Sequence, residues 1–168
     1  MKNNIILIGM PGSGKSTLGV LLAKSIGYSF IDSDLVIQKR EGRKLFEIIN
    51  DIGLDGFIGC EERAILSIDT DGTVIATGGS AVLSEKAMAY LSTNGKIVYL
   101  KVSPLDLEKR IKNIKTRGIV MSKNETIYDV YRVRSPLYEK YADITVELDN
   151  SHIEDSIEKI LKLLNTEA

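Results

Sequence analysis

Residues Ile5-Ile6-Leu7-Ile8 run straight into Gly9-Met10-Pro11-Gly12-Ser13-Gly14-Lys15-Ser16-Thr17, after which Leu18, Leu21, Leu22 and Ile26 recur at helical spacing. An apolar strand, a loop reading G-x-x-x-x-G-K-S and an amphipathic helix thus follow one another in the order a phosphate-binding P-loop requires. The loop constrains the rest of the chain, because it works only at the end of a buried strand and at the start of a helix. Glycines at 9, 12 and 14 admit backbone conformations that turn successive N–H groups inward around an anion, and the helix adds roughly half a positive charge at its N-terminus. Lys15 supplies a cation for β- and γ-phosphate oxygens, and the Ser16 hydroxyl suits the octahedral shell of Mg²⁺. Ser13 and Thr17 are expected to add N–H and hydroxyl donors, which makes Gly12, Ser13, Gly14, Lys15, Ser16 and Thr17 the expected nucleotide contacts.

Bulk properties narrow the partners. A chain of 168 residues fits one domain, and a formal net charge of −1 gives no electrostatic reason to expect nucleic acid or an anionic membrane as partner. The single cysteine, Cys60, has no internal disulfide partner and reads as a small buried apolar residue. Gly9 cuts the first apolar run too short for a signal peptide, and no run approaches the ~20 residues that span a bilayer. The expectation is a cytoplasmic monomer.

Strands are expected at Tyr28–Ile31, Thr73–Ala76, Lys96–Val102 and Ile144–Leu148, alternating with helices, which predicts a five-stranded parallel α/β sheet. The second strand ends in Asp32-Ser33-Asp34. In an extended chain both carboxylates face one way, where one can serve the Mg²⁺ shell and the other a substrate hydroxyl, although either can also cap the next helix. Leu35–Glu41, Lys44–Asp51 and Phe57–Ile68 read as three short helices in an insertion spanning about residues 33–70. Glu61, Glu62 and Arg63 there fit a substrate pocket or an ordinary solvated face. Gly78-Gly79 after the third strand fits either close approach by a ligand or a simple turn. Ser103-Pro104 opens a helix, with Leu105, Leu107 and Ile111 as its buried side. Lys109, Arg110, Lys112, Lys115 and Arg117 beyond it read as a solvated basic end or as a lid, about residues 112–125, hinged at Gly118. Thr126–Arg134 is expected to be a helix interrupted at Ser135-Pro136. His152 is expected to be an exposed first-turn residue of the terminal helix.

Taken with Phe30-Ile31-Asp32-Ser33-Asp34, Phe57 with Glu61, Ile75-Ala76-Thr77-Gly78-Gly79, Val98-Tyr99-Leu100, Arg110 with Arg117, and Arg134-Ser135-Pro136-Leu137-Tyr138 leading to Ala142-Asp143, the loop resembles the shikimate kinase family over nearly the whole chain. The resemblance implies a nucleoside monophosphate kinase-like fold and ATP-dependent phosphorylation of the 3-hydroxyl of shikimate, a step of aromatic amino acid biosynthesis. It implies Ser16 and Asp32 at Mg²⁺ and Asp34, Gly78 and Gly79 at the substrate. Arg110 would lie against adenine, Arg117 would be the lid arginine, and Arg134 would bind the substrate carboxylate. Lys15, Asp34 and Arg117 would be the catalytic set.

Three positions depart from the family pattern. Ile58 stands where an arginine usually follows the phenylalanine, Ser80 replaces the third glycine of a triplet, and Arg117-Gly118-Ile119-Val120 replaces Arg-Pro-Leu-Leu. A missing arginine removes a charge-assisted contact worth on the order of 1.5 to 3 kcal/mol. It also leaves Glu61 without that partner, so the runner-up acceptor, after shikimate, is a hydroxy amino acid or amino-alcohol such as homoserine, with Arg134 on its carboxylate and Glu61 on its ammonium. A regulatory protein that binds ATP with reduced catalysis is the reading from a different class.

Overall fold

A computed structural model describes residues 2–112, 121–122, 124–149 and 152–166. β1 (Asn4–Ile8) is buried along its length and leads through the glycine-rich loop into α1 (Lys15–Ile26). β2 (Ser29–Asp32), α2 (Ser33–Glu41), α3 (Leu45–Leu66), β3 (Thr73–Ala76), a 3₁₀ turn at Ala81–Leu83, α4 (Glu85–Asn94) and β4 (Gly95–Val102) follow. The chain closes with α5 (Pro104–Lys112), α6 (Ile127–Tyr141), β5 (Ile144–Leu148) and α7 (Ile153–Thr166). All strand pairs are parallel, in the order β2-β3-β1-β4-β5. Helices cover both faces, which is why β1, β3 and β4 are continuous apolar runs rather than alternating ones.

The order places the site. From β1 the chain crosses past β3 to β2, whereas from β3 it crosses to β4 on the other flank of β1. Connections diverge on either side of the central strand, and such a switch point opens a crevice at the carboxyl ends of the strands. The glycine-rich loop lies there. The opposite ends are latched by buried Asn4, whose amide donates to the carbonyls of Thr70 and Asn94 at 2.9 Å each and accepts from the Thr73 N–H at 3.1 Å.

Several helices differ from the sequence expectation for physical reasons. Asp32 is the N-cap of α2, its Oδ1 accepting from the Asp34 N–H at 2.9 Å. The chain is therefore already helical at Asp34, and the two carboxylates do not share one face of a strand. The expected second and third helices of the insertion are one element, α3, kinked where Gly53 takes φ 70°, ψ −178°. The helix expected to stop before Pro136 runs on to Tyr141. Proline removes one N–H donor from a helix, but Pro136 and Arg132, four residues before it, are both exposed, so water can satisfy the carbonyl left over. Leu105, expected on the buried side of α5, is 55% exposed; Leu107 is the residue that enters the core.

Candidate active site

The loop after β1 wraps the start of α1. Gly12 and Gly14 take φ of 80° and 93°, in the left-handed region, and Gly14 is the residue from which the helix starts. At Gly9 a Cβ would sit 2.7 Å from the Leu100 carbonyl oxygen of β4, so the loop can leave the sheet only through a glycine. Lys15 is 8% exposed, and its Nζ donates to the carbonyls of Gly9 at 2.7 Å and Met10 at 2.8 Å and to Ser13 Oγ at 3.4 Å. Burial pulls the ammonium down to about 8, against the opposing pull of Asp34, Glu61 and Asp32. Ser13 is fully buried and its N–H is spent on the Met10 carbonyl at 3.1 Å, so its expected contribution of an amide to a ligand is not available in this loop conformation. Ser16 is half-buried and Thr17 exposed.

Ser16 Oγ donates to Asp32 Oδ2 at 2.6 Å. Asp32 thus joins two elements at once, capping α2 through one oxygen and meeting α1 through the other. Of the two readings of this aspartate, the cap is the one observed. The hydroxyl and carboxylate form a hard, oxygen-only donor pair beside the phosphate loop, which suits Mg²⁺, an ion commonly held by few protein groups plus substrate phosphates.

A second wall faces the loop. Asp34, on the first turn of α2, and Glu61, on α3, both approach Gly78: a Cβ there would lie 2.1 Å from Glu61 Oε1 and 3.0 Å from Asp34 Oδ1. The Gly78 N–H donates to Ser33 Oγ at 3.0 Å. Gly79 packs on Pro11, where a Cβ would meet the ring at 2.7 Å. The glycine pair therefore admits close approach first of all by the protein's own carboxyl groups and loop. Glu61 is 1% exposed, which excludes the solvated-face reading for it, while Arg63 is exposed and donates to Cys60 Sγ at 3.1 Å. Ser80 Oγ donates to Glu61 Oε2. Burial pushes the Glu61 carboxyl up to about 7; the Ser80 hydrogen bond pulls it back, Asp34 raises it, and Arg134 and Lys15 lower it.

Arg134 projects from α6 and is 5% exposed. One turn later Tyr138, stacked on Tyr99 with ring centroids 5.1 Å apart, donates its hydroxyl to the Gly79 carbonyl at 2.5 Å. Because α6 continues through Pro136, Arg134 and Tyr138 lie on one helix face, and the tyrosine fixes that face against the Gly78-Gly79 loop. The sequence assigns Ser33 and Tyr138 no function of their own and marks Ser80 only as a departure from the family's glycine triplet. Their signal was present only as position: a serine between two aspartates, a serine ending a glycine pair, and an aromatic four residues after an arginine.

Arg110, half-buried on α5, reaches across the loop to the Ser13 carbonyl at 3.5 Å and to the Asp149 carbonyl at 3.2 Å. Arg117 and Gly118 lie outside the described residues. Cys60 is buried, as expected, and its thiol is pushed up by burial. His152 is exposed.

The family model described as shikimate kinase matches residues 11–165. The chain belongs to the shikimate kinase family. A shikimate kinase from Haemophilus influenzae strain PittEE is 37% identical over 168 residues, spanning 98% of this chain and 93% of the relative. One from Thiobacillus denitrificans is 40% identical over 149 residues, 87% of this chain and 81% of the relative. Among solved structures, the shikimate kinase from Acinetobacter baumannii in complex with shikimate superposes with a TM-score of 0.92 at 30% identity, covering 99% of this chain and 95% of that one. Membership makes this shikimate kinase family chain an ATP-dependent small-molecule kinase that uses Mg²⁺.

Proposed function

We propose that the chain transfers the terminal phosphoryl group of ATP to the 3-hydroxyl of shikimate, with residues 33–70 as the acceptor-binding insertion. The observation that carries this is the meeting of Asp34 and Glu61 at Gly78, within reach of the charges of Arg134 and of Lys15 on the phosphate loop, in a family member. Arg134 is buried beside the acceptor space and suits a carboxylate, as guanidinium groups pair with carboxylates bidentately. Asp34 stands at the start of α2, where it orients the hydroxyl and accepts its proton. Lys15 exchanges its two neutral carbonyl partners for phosphate oxygens and draws charge off the transferring group. Ser16 and Asp32 would hold Mg²⁺, which supplies further neutralisation of phosphate charge. Arg110 would border the adenine, and Arg117 would close from the lid. The rest of the catalysis is positioning.

The hydroxy amino acid reading needed Glu61 as an open anion for an ammonium group. In the fold Glu61 is buried, already accepts from Ser80 through one oxygen and has its carboxyl pushed up to about 7 by burial, so it is a weaker anion for an ammonium group than an open carboxylate would be. Among the described residues no helix is long and apolar enough to cross a membrane, and we place the protein in the cytoplasm as a monomer acting on small molecules rather than on nucleic acid. The test is a coupled ADP-release assay with shikimate and with homoserine. Turnover with shikimate well above homoserine is expected; preference for homoserine overturns the acceptor, and nucleotide binding without turnover of either makes the chain a regulatory ATP-binding protein instead.

A further inference from the structure

Glu61 presents two oxygens in different situations. Oε2 accepts from the buried Ser80 hydroxyl, whereas Oε1 is buried without a hydrogen-bond partner among the described residues. That free oxygen lies over Gly78 beside Asp34 Oδ1. A buried acceptor without a donor costs stability, and such groups persist where a ligand supplies the donor. On the reading that Asp34 faces the acceptor's reacting hydroxyl, the next hydroxyl of a polyol meets Glu61 Oε1.

The carboxyl group is useful there only if it cannot rotate away. Glu61 reaches the pocket from α3, and the loop that faces it is stitched to that helix twice: Ser80 to Glu61, and Ser84, the N-cap of α4, to Glu62 Oε2 at 2.7 Å. Ser80 is 1% exposed, so its hydroxyl has no water to turn to. We propose that Ser80 is a positioning residue for the acceptor, holding the Glu61 carboxyl so that Oε1 receives a second hydroxyl next to Asp34. A glycine or alanine at position 80 would leave the carboxyl free to turn, so the residue sets acceptor affinity without touching the nucleotide. The inference rests on the proposed acceptor reading.

Two measurements on the full chain separate the possibilities. In steady-state assays Ser80→Ala and Ser80→Gly are each expected to raise KM for shikimate about tenfold, the cost of a lost hydrogen bond to a charged or acidic group, with KM for ATP unchanged. In a Glu61→Ala background, which removes the carboxyl that the serine holds, Ser80→Ala should add less than half of that rise, since the serine acts through the glutamate. The second measurement needs no acceptor: an NMR titration of labelled glutamate carboxyl carbons, in which Ser80→Ala moves the Glu61 midpoint upward because the serine bond holds it down. An unmoved midpoint overturns the proposal. So does an unchanged shikimate KM in a folded variant, or a full additive rise in the Glu61→Ala background. A wild type that does not turn shikimate over, with the Glu61 midpoint still dependent on Ser80, overturns the acceptor reading alone.

Discussion

Lys15 and Glu61 are two buried ionisable side chains whose environments push them toward neutrality from opposite directions. Lys15 falls from 10.5 to about 8 and Glu61 rises from 4.5 to about 7, each mainly through burial. For Glu61 the unfolded chain loses its proton first as pH rises, so between about 4.5 and 7 the folded state holds the extra proton and stability declines across that window. Urea unfolding of the wild type at pH 5 and pH 8, beside Glu61→Gln, should show a loss in the wild type that the variant lacks, on the order of 3 kcal/mol at most. Equal pH dependence in both proteins would mean that Glu61 ionises normally. Chemistry itself depends on Asp34. Asp34→Asn keeps the shape and removes the proton acceptor, and a fall in kcat of about 10² to 10⁴ is expected if it serves as general base; a near wild-type kcat with raised KM would reduce it to a binding group. At Ile58, half-buried one turn before Glu61, Ile58→Arg should lower KM for shikimate by about tenfold, as one added charge-assisted contact to its carboxylate would.

At the level of elements, the strands and the phosphate loop were readable in the chain because their cause is local. Continuous apolar runs, a glycine spacing and a lysine sit within a few residues of one another, and Asp32, Asp34, Glu61 and Arg134 could be nominated from motifs of similar length. What could not be read is what depends on contacts between distant segments. Ser80 and Glu61 are 19 residues apart, and Tyr138 and Gly79 are 59. Nothing in either neighbourhood shows that they meet. The continuation of α6 through Pro136 likewise depends on which side of the helix faces water, and the kink at Gly53 on a backbone conformation. The latter gives an element-scale prediction. Gly53 occupies φ 70°, ψ −178°, a region essentially limited to glycine, with no atom within 4 Å of where a Cβ would stand. Gly53→Ala therefore meets backbone strain alone and should destabilise the protein by about 1 to 3 kcal/mol in denaturant unfolding. No loss of stability would show that α3 straightens there freely.

Across the whole molecule, the sheet order brings these separate elements to one crevice: α1 contributes Lys15, α2 Asp34, α3 Glu61 and α6 Arg134, with Asp34 and Arg134 both acting on the charges of Lys15 and Glu61. Such a cluster is costly to bury without its ligands. The depressed Lys15 ammonium alone corresponds to about 3 kcal/mol of unfavourable burial at neutral pH. Nucleotide phosphate reverses that term by giving the cation its natural partner, so binding and folding are coupled through this side chain. A melt with Mg-ADP at about a hundred times its Kd should gain roughly 2.7 kcal/mol, or roughly 5 to 10 °C at this chain length. Lys15→Ala should melt at or above the wild type without nucleotide, because a buried cation has been removed, and should lose most of the nucleotide-dependent gain. If Lys15→Ala instead melts lower in the absence of ligand, its bonds to the Gly9 and Met10 carbonyls outweigh the cost of burying it, and the lysine is a brace for the loop before it is a phosphate ligand.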